Sequence, residues 1–182
     1  MPRLFTGLEV PPQIAAELAI LRGGVAGARW VEPDDYHVTL RFMGDIDHAA
    51  ARDIASLLDH VRRPRLALTL AGLDIFGGDR PRAIVMKIAA SKALSELQAE
   101  QERLARRIGL SPETRKFSPH VTLAWLRNVS PRQVAGYIAS RGHIPSLSFT
   151  AHRFVLYSSR ASTGGGPYLI EADYPLTLES AA

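Results

Sequence analysis

The tetrapeptide His-Val-Thr-Leu occurs twice in this chain, beginning at His37 and again at His120. The copies start 83 positions apart (37 and 120), too far for the short periods of solenoids and propellers. Each copy reads as the opening of a strand that passes through a turn into a helix. The simpler reading of such a repeat is two similar half-units, each contributing one histidine. Histidine is the side chain whose ordinary pKa, about 6.5, lies close to neutral pH. Two histidines in matched settings therefore suggest a proton donor and a proton acceptor.

Strand alternation sorts the side chains around each copy. In the first, His37, Thr39 and Arg41 share one face, and Val38, Leu40 and Phe42 share the other. In the second, His120, Thr122 and Ala124 share a face, and Val121, Leu123 and Trp125 point away. Each half thus has an apolar row for the core behind a polar row with one histidine and one threonine. If the strands flank a cleft, the two imidazoles and two hydroxyls converge on it. Such a site suits phosphoester chemistry without a metal. A neutral imidazole takes a proton from water, a protonated one gives a proton to the leaving oxygen, and the hydroxyls hold the phosphate oxygens. Nearby arginines would stabilise the growing negative charge.

Rival readings are weaker. A single His-x-Thr in a strand is ordinarily just a polar face, and it is the recurrence in matching strand–turn–helix contexts that marks a site. Catalytic zinc usually takes three protein ligands, whereas the motifs supply two histidines and lack His-Glu-x-x-His spacing. Asp34, Asp35 and Asp45 read as turn and cap residues. His48, His60, His143 and His152 have no repeated context and read as surface or core residues. The glycine-rich stretch 162–167 lacks the Lys-Ser/Thr ending of a phosphate-binding loop and reads as a hairpin turn, a candidate flap over the cleft.

The other predicted elements interleave strands and helices. Strands are expected over 3–10, 36–43, 65–75, 83–89, 120–126, 148–158 and 168–176. Helices are expected from Pro11-Pro12, over 47–61, from Ser91 to Ile108, and from Ser130-Pro131 to about Ser140. Residues 30–35 read as a polar connection and 111–119 as a basic loop. With no low-complexity linker between the halves, the expectation is one domain over 1–182, two lobes of an α+β fold with antiparallel sheets facing across a cleft. The chain has no cysteine, which excludes a disulfide framework or a thiol nucleophile and fits the cytoplasm. It has no apolar run near the roughly 20 residues that span a bilayer and no signal-peptide pattern at its start. The net charge of +4 favours an anionic partner; 19 of the 22 basic residues are arginine, so genome composition contributes to that excess. No exposed apolar stripe is left over, and a monomer is expected.

The paired His-x-Thr motifs resemble those of the 2H phosphoesterase superfamily, and within it the RNA 2′,3′-cyclic phosphodiesterases, also called 2′-5′ RNA ligases, of the LigT-like branch. The resemblance runs nearly end to end. It is carried by Arg3-Leu4-Phe5-Thr6-Gly7-Leu8-Glu9-Val10-Pro11, by Trp30-Val31 through the block His37 to Gly44, by Phe117-Ser118-Pro119-His120-Val121-Thr122-Leu123-Ala124, and by Phe154 to Arg160 with the glycines and Tyr168 that follow. The resemblance implies a bilobal fold with pseudo-two-fold symmetry, helices outside two antiparallel sheets, and no cofactor or metal. It implies hydrolysis of a 2′,3′-cyclic phosphate at an RNA end to a 2′-phosphate, with His37 as proton donor, His120 as proton acceptor, and Thr39 and Thr122 on the phosphate. Family members also join tRNA halves through a 2′-5′ linkage, so RNA ends, tRNA halves among them, are the expected partners. Many relatives carry an arginine five residues after the second histidine; here that position is Trp125. Arg41, on the expected cleft face, is the first substitute, and Arg115, Lys116, Arg127 and Arg160 are further ones. Phe42 and Trp125 are candidate substrate contacts, with core packing favoured for Phe42 by strand parity. The competing functions are a phosphodiesterase for a small cyclic nucleotide or ADP-ribose cyclic phosphate, and a non-catalytic RNA-binding protein.

Overall fold

The computed structural model describes residues 1–141, 144–159 and 166–177. The chain runs β1 (Arg3–Glu9), α1 (Pro12–Ala19), β2 (Ala28–Trp30), a 3-10 turn (Pro33–Asp35), β3 (His37–Asp45) and α2 (His48–Leu58). It continues through β4 (Leu66–Phe76), β5 (Ala83–Ile88), α3 (Lys92–Arg107), β6 (His120–Leu126) and α4 (Pro131–Arg141). It closes with β7 (Ser148–Ala151), β8 (Arg153–Ser159) and β9 (Leu169–Pro175).

Local chemistry accounts for the helix ends. Asp47 accepts from Ala50 N–H at 2.7 Å and Ser91 from Leu94 N–H at 3.2 Å, the first-turn donors that a helix leaves unpaired. Ser130 and Gln133 exchange side-chain bonds with each other's backbone N–H, the reciprocal box of a Ser-x-x-Gln start. Gly109, with φ of 92°, ends α3, letting Leu110 N–H reach back to the Ala105 carbonyl. Buried Leu94, Leu97, Gln101 and Ala105 recur at helical spacing and seat α3 on β3.

The strands follow the order β7-β4-β5-β6-β3-β1-β8-β9, antiparallel throughout, with β2 beside β6. The order is a palindrome about β6–β3: β5 answers β1, β4 answers β8, and β7 answers β9. The two expected sheets are joined at this centre by one bridge, Val38 opposite Val121. These valines hold the same position in the two copies of the motif, so the pseudo-two-fold relation passes between them. Both are fully buried, with Leu40 and Leu123 of the same apolar rows. Among the described residues no helix is long and apolar enough to cross a membrane.

Two expectations are corrected. Residues 28–30 fall partly in the expected polar connection, yet they form β2, with Trp30 opposite Ala124; three residues are too few for alternation to register. The single strand expected over 148–158 breaks at His152 into β7, which pairs with β4, and β8, which pairs with β1. The chain crosses from one lobe to the other at that break. His48, His60 and His152 are exposed, and His60 Nδ1 donates to the Ser56 carbonyl. His143, Arg160 and most of the glycine-rich hairpin turn lie outside the described residues.

Candidate active site

Each motif histidine stands at the first position of its strand, and the residue two before it receives its ring. His37 Nδ1 lies 2.8 Å from the Asp35 carbonyl and His120 Nδ1 lies 2.7 Å from the Ser118 carbonyl. A carbonyl only accepts, so Nδ1 carries the hydrogen in both rings. Nε2 is then the nitrogen each ring offers, bare in the neutral form and protonated in the cation. His37 Nε2 is 3.1 Å from the Thr39 hydroxyl.

The two rings and both threonines line one cavity of about 430 Å³, with Phe42, Trp125, Arg82 and Arg115. That volume lies within the range of small-ligand sites. Asp34, Asp35 and Asp45 do not join the histidines in a metal cage: Asp45 pairs with Arg3 at 3.3 Å, and the other two form the 3-10 turn. Among the described residues no three His, Asp or Glu side chains gather as metal ligands.

The lobes surround their histidines differently. Phe76 meets His120 edge-on at 4.6 Å between centroids, and its counterpart Tyr157 lies 5.4 Å from His37. His37 also touches Phe5 at 5.0 Å and Tyr168 at 5.1 Å. Gly7 makes room for this cluster, because a Cβ there would meet the Val38 carbonyl at 2.9 Å and the Tyr157 ring at 3.2 Å. Burial pushes both imidazoles below their ordinary value. For His37 this is opposed by its bond to the Asp35 carbonyl and by the Asp35 carboxylate, and reinforced by the charge on His120. For His120 only the Ser118 carbonyl opposes it. Burial raises the phenols of Tyr157 and Tyr168, so both stay protonated near neutral pH.

Simple alternation fails beyond each threonine. Thr6 faces Arg41 while Gly7 faces Thr39, so Leu40 is the extra residue of a bulge in β3. Ile84 faces Ala124 while Val85 faces Thr122, so Leu123 is the same bulge in β6. A bulge reverses the facing of the residues that follow it, in β3 as far as the second register shift at Met43. Arg41, expected on the cleft face, is 7% exposed and turned inward. Its Nε meets Glu102, its Nη1 the Phe42 carbonyl and its Nη2 the Ser111 carbonyl at 2.6 Å. Its guanidinium is thereby taken up by protein partners, and it does not line the cavity that holds both histidines. Phe42 and Trp125, expected on the core face, emerge on the cleft at 45% and 43% exposure. Ala124 turns inward with no exposure.

Of the remaining basic candidates, Arg115 lines the cavity. Lys116 lies in the groove that continues from it. Arg127 faces a neighbouring hollow behind Trp125. Nothing in the sequence distinguishes Arg82 from the other arginines. The structure puts it at the cavity wall because its N–H bonds the Phe76 carbonyl and its carbonyl accepts from Leu126 N–H.

The LigT-like phosphoesterase model matches the chain twice, over residues 8–85 and 87–168. The chain belongs to the LigT-like phosphoesterase family. The two matches fall one on each copy of the motif, in keeping with the palindromic sheet. An RNA 2′,3′-cyclic phosphodiesterase of Aeropyrum pernix is 34% identical over 120 residues, 63% of this chain and 68% of that protein. One from Bacillus subtilis (strain 168) is 27% identical over 86% of this chain and 87% of its own length. Among LigT-like structures, E. coli LigT complexed with 3′-AMP superposes with a TM-score of 0.77 at 26% identity, covering 97% of this chain and 99% of that one. A protein of Thermus thermophilus shares the fold, with a TM-score of 0.80 at 21% identity over 98% of this chain and all of that one.

Proposed function

We propose that this protein hydrolyses the 2′,3′-cyclic phosphate at an RNA end to a 2′-phosphate, using its two histidines as acid and base without a metal. The observation that carries the reading is the matched pair of imidazoles on one cavity. Both are held through Nδ1 by a carbonyl, and each has a threonine hydroxyl two residues on. Its family membership and its relatives' names favour the same reaction. His120 Nε2 takes a proton from water as the water oxygen bonds to phosphorus. The bond from phosphorus to O3′ breaks, and His37 Nε2 gives its proton to O3′. Thr39 and Thr122 hold the non-bridging oxygens, and Arg82 and Arg115 balance the charge that builds there. Burial lowers both imidazoles, and the Asp35 carboxylate partly offsets this at His37 alone, so the two rings are not electrostatically equivalent. With an RNA 5′-hydroxyl in place of water, the same two transfers make a 2′-5′ linkage. The reading carries with it a cytoplasmic monomer acting on cleaved RNAs such as tRNA halves.

The decisive experiment offers an oligonucleotide ending in a 2′,3′-cyclic phosphate to the protein in the presence of a chelator. The expected product is the 2′-phosphate. Turnover only on added metal, or none, would sink the proposal. Turnover confined to cyclic mononucleotides or ADP-ribose cyclic phosphate would replace RNA as the substrate.

A further inference from the structure

Besides the hollow behind Trp125, which Arg29 and Arg127 line, two hollows of opposite charge border the cavity. One is continuous with it through Thr39, Phe42, Phe76 and His120, and adds Lys116 to the shared Arg82 and Arg115. Its carboxylate is Glu113, which pairs with Arg115 at 3.3 Å, while Arg41 on its floor is neutralised by Glu102. Arg82 and Lys116 have no ion-pair partner among the described residues. The other hollow meets the cavity at Val31, Trp125 and Tyr168 and carries Glu32, Asp34 and Asp35 against Arg29. Arg22 pairs with Glu32 at 3.0 Å, which among the described residues leaves two aspartates facing that arginine.

The basic side is a built surface. Glu102 accepts the Glu113 N–H at 3.1 Å and binds Arg41, while Arg41 holds the Ser111 carbonyl. These contacts tie the loop bearing Arg115 and Lys116 to β3 and α3. Phe42, 45% exposed, stands where cavity and groove meet and offers a face on which a base can stack.

We propose that the cleft is electrostatically one-way, and that a single-stranded RNA whose 3′ end occupies the cavity runs out along Phe42, Arg82, Arg115 and Lys116. This rests on the reading of the site as acting on RNA ends. Every further phosphate of such a substrate lies on the 5′ side of the reacting nucleotide, so one mouth must carry all of them. The acidic mouth repels that charge, and the basic mouth compensates it.

The test uses 5′-labelled RNAs of one to six nucleotides ending in a 2′-phosphate, the product of the proposed reaction, so that binding is read by anisotropy without turnover. Affinity is expected to rise over the first few nucleotides and then level off. Lys116→Gln should weaken the longer RNAs roughly fivefold at about 0.1 M salt and reduce the log–log salt slope by about 0.7, the value of one phosphate contact to a single strand. It should cost oligonucleotides more than a cyclic mononucleotide in kcat/KM. Asp34→Lys, in the other mouth, should change binding less than about twofold at about 0.15 M salt, where distant charges are screened. Affinity independent of length, or a gain in Asp34→Lys matching the loss in Lys116→Gln, would overturn the one-way path. Length-dependent binding that needs Lys116 but comes with no hydrolysis sustains the path and overturns the reaction. Hydrolysis with length-independent binding does the reverse.

Discussion

A histidine ring has two nitrogens, and in both halves of this molecule the backbone decides which of them reaches the cavity. The carbonyls of Asp35 and Ser118 engage Nδ1, so removing either ring removes an Nε2 that no neighbour can replace. His37→Ala and His120→Ala should each lower kcat on a cyclic-phosphate RNA by at least about 10²-fold, the low end for a general acid or base. Thr39→Val and Thr122→Val keep the side-chain shape but lose the hydroxyl, and should lose about tenfold, the worth of one ordinary hydrogen bond. Steady-state kinetics on variants with unchanged circular dichroism measures both; full activity in either alanine variant would end the paired-histidine mechanism. The pH dependence follows from burial, which lowers both imidazoles below about 6.5. The competent free enzyme has His120 neutral and His37 protonated. The kcat/KM profile should therefore peak on the acid side of about pH 6.5, with two limbs that belong to the histidine pair. An optimum above about pH 7.5 would contradict this. The histidines and threonines were legible in the sequence because they precede the bulges, where alternation still holds.

At the scale of the element, the bulges made Phe42, Trp125 and Arg41 illegible. In β3 the Thr6 hydroxyl accepts the Arg41 N–H at 3.2 Å and donates to Gln101 Oε1. A side chain from β1, seconded by α3, thus satisfies the backbone group that the bulge takes out of the ladder. Nothing in the local pattern of residues 37–43 announces a partner 35 positions away. The same geometry gives Arg41 a structural task that its chemistry obscured, since an arginine beside a phosphate site reads first as a phosphate ligand. Its pair with Glu102 is largely enclosed, with side-chain exposures of 8% and 18%. Arg41→Ala should cost about 3 kcal/mol by stranding the carboxylate, seen as a fall in Tm of roughly 6–12 °C. Arg41→Lys should not restore stability, because one ammonium cannot reproduce the fork that meets Glu102, Phe42 and Ser111 together. A Tm unchanged in Arg41→Ala would show that the clamp contributes nothing.

For the whole molecule, the lobes share one strand-to-strand bridge, but the chain binds them further by crossing between them. β4 follows α2 out of one lobe into the other, and β8 returns at His152 to pair with β1. This interleaving leads us to expect unfolding as one unit, with tryptophan fluorescence and far-ultraviolet dichroism giving coincident transitions; two separated transitions would show independent lobes. Stability should also depend on pH. A histidine with a lowered folded value binds fewer protons than its unfolded form, so stability is fully present above about pH 6.5 and falls as the pH drops toward the folded value. The fall in Tm from about pH 7.5 to 5.5 should shrink in a His37→Gln/His120→Gln double variant, and an equal fall in the two proteins would assign it to other groups. By itself the sequence determined the duplicated unit, most strands and helices, the helix start at Ser91, and the histidine–threonine pairs. These depend on residues a few positions apart, whose spacing is visible along one chain. The tertiary structure alone decided the inward turn of Arg41, the outward turn of Phe42 and Trp125, the place of Arg82, and the opposed charge of the two mouths. Each of these depends on which distant strand or loop lies alongside, and that neighbour is chosen only when the chain closes on its core.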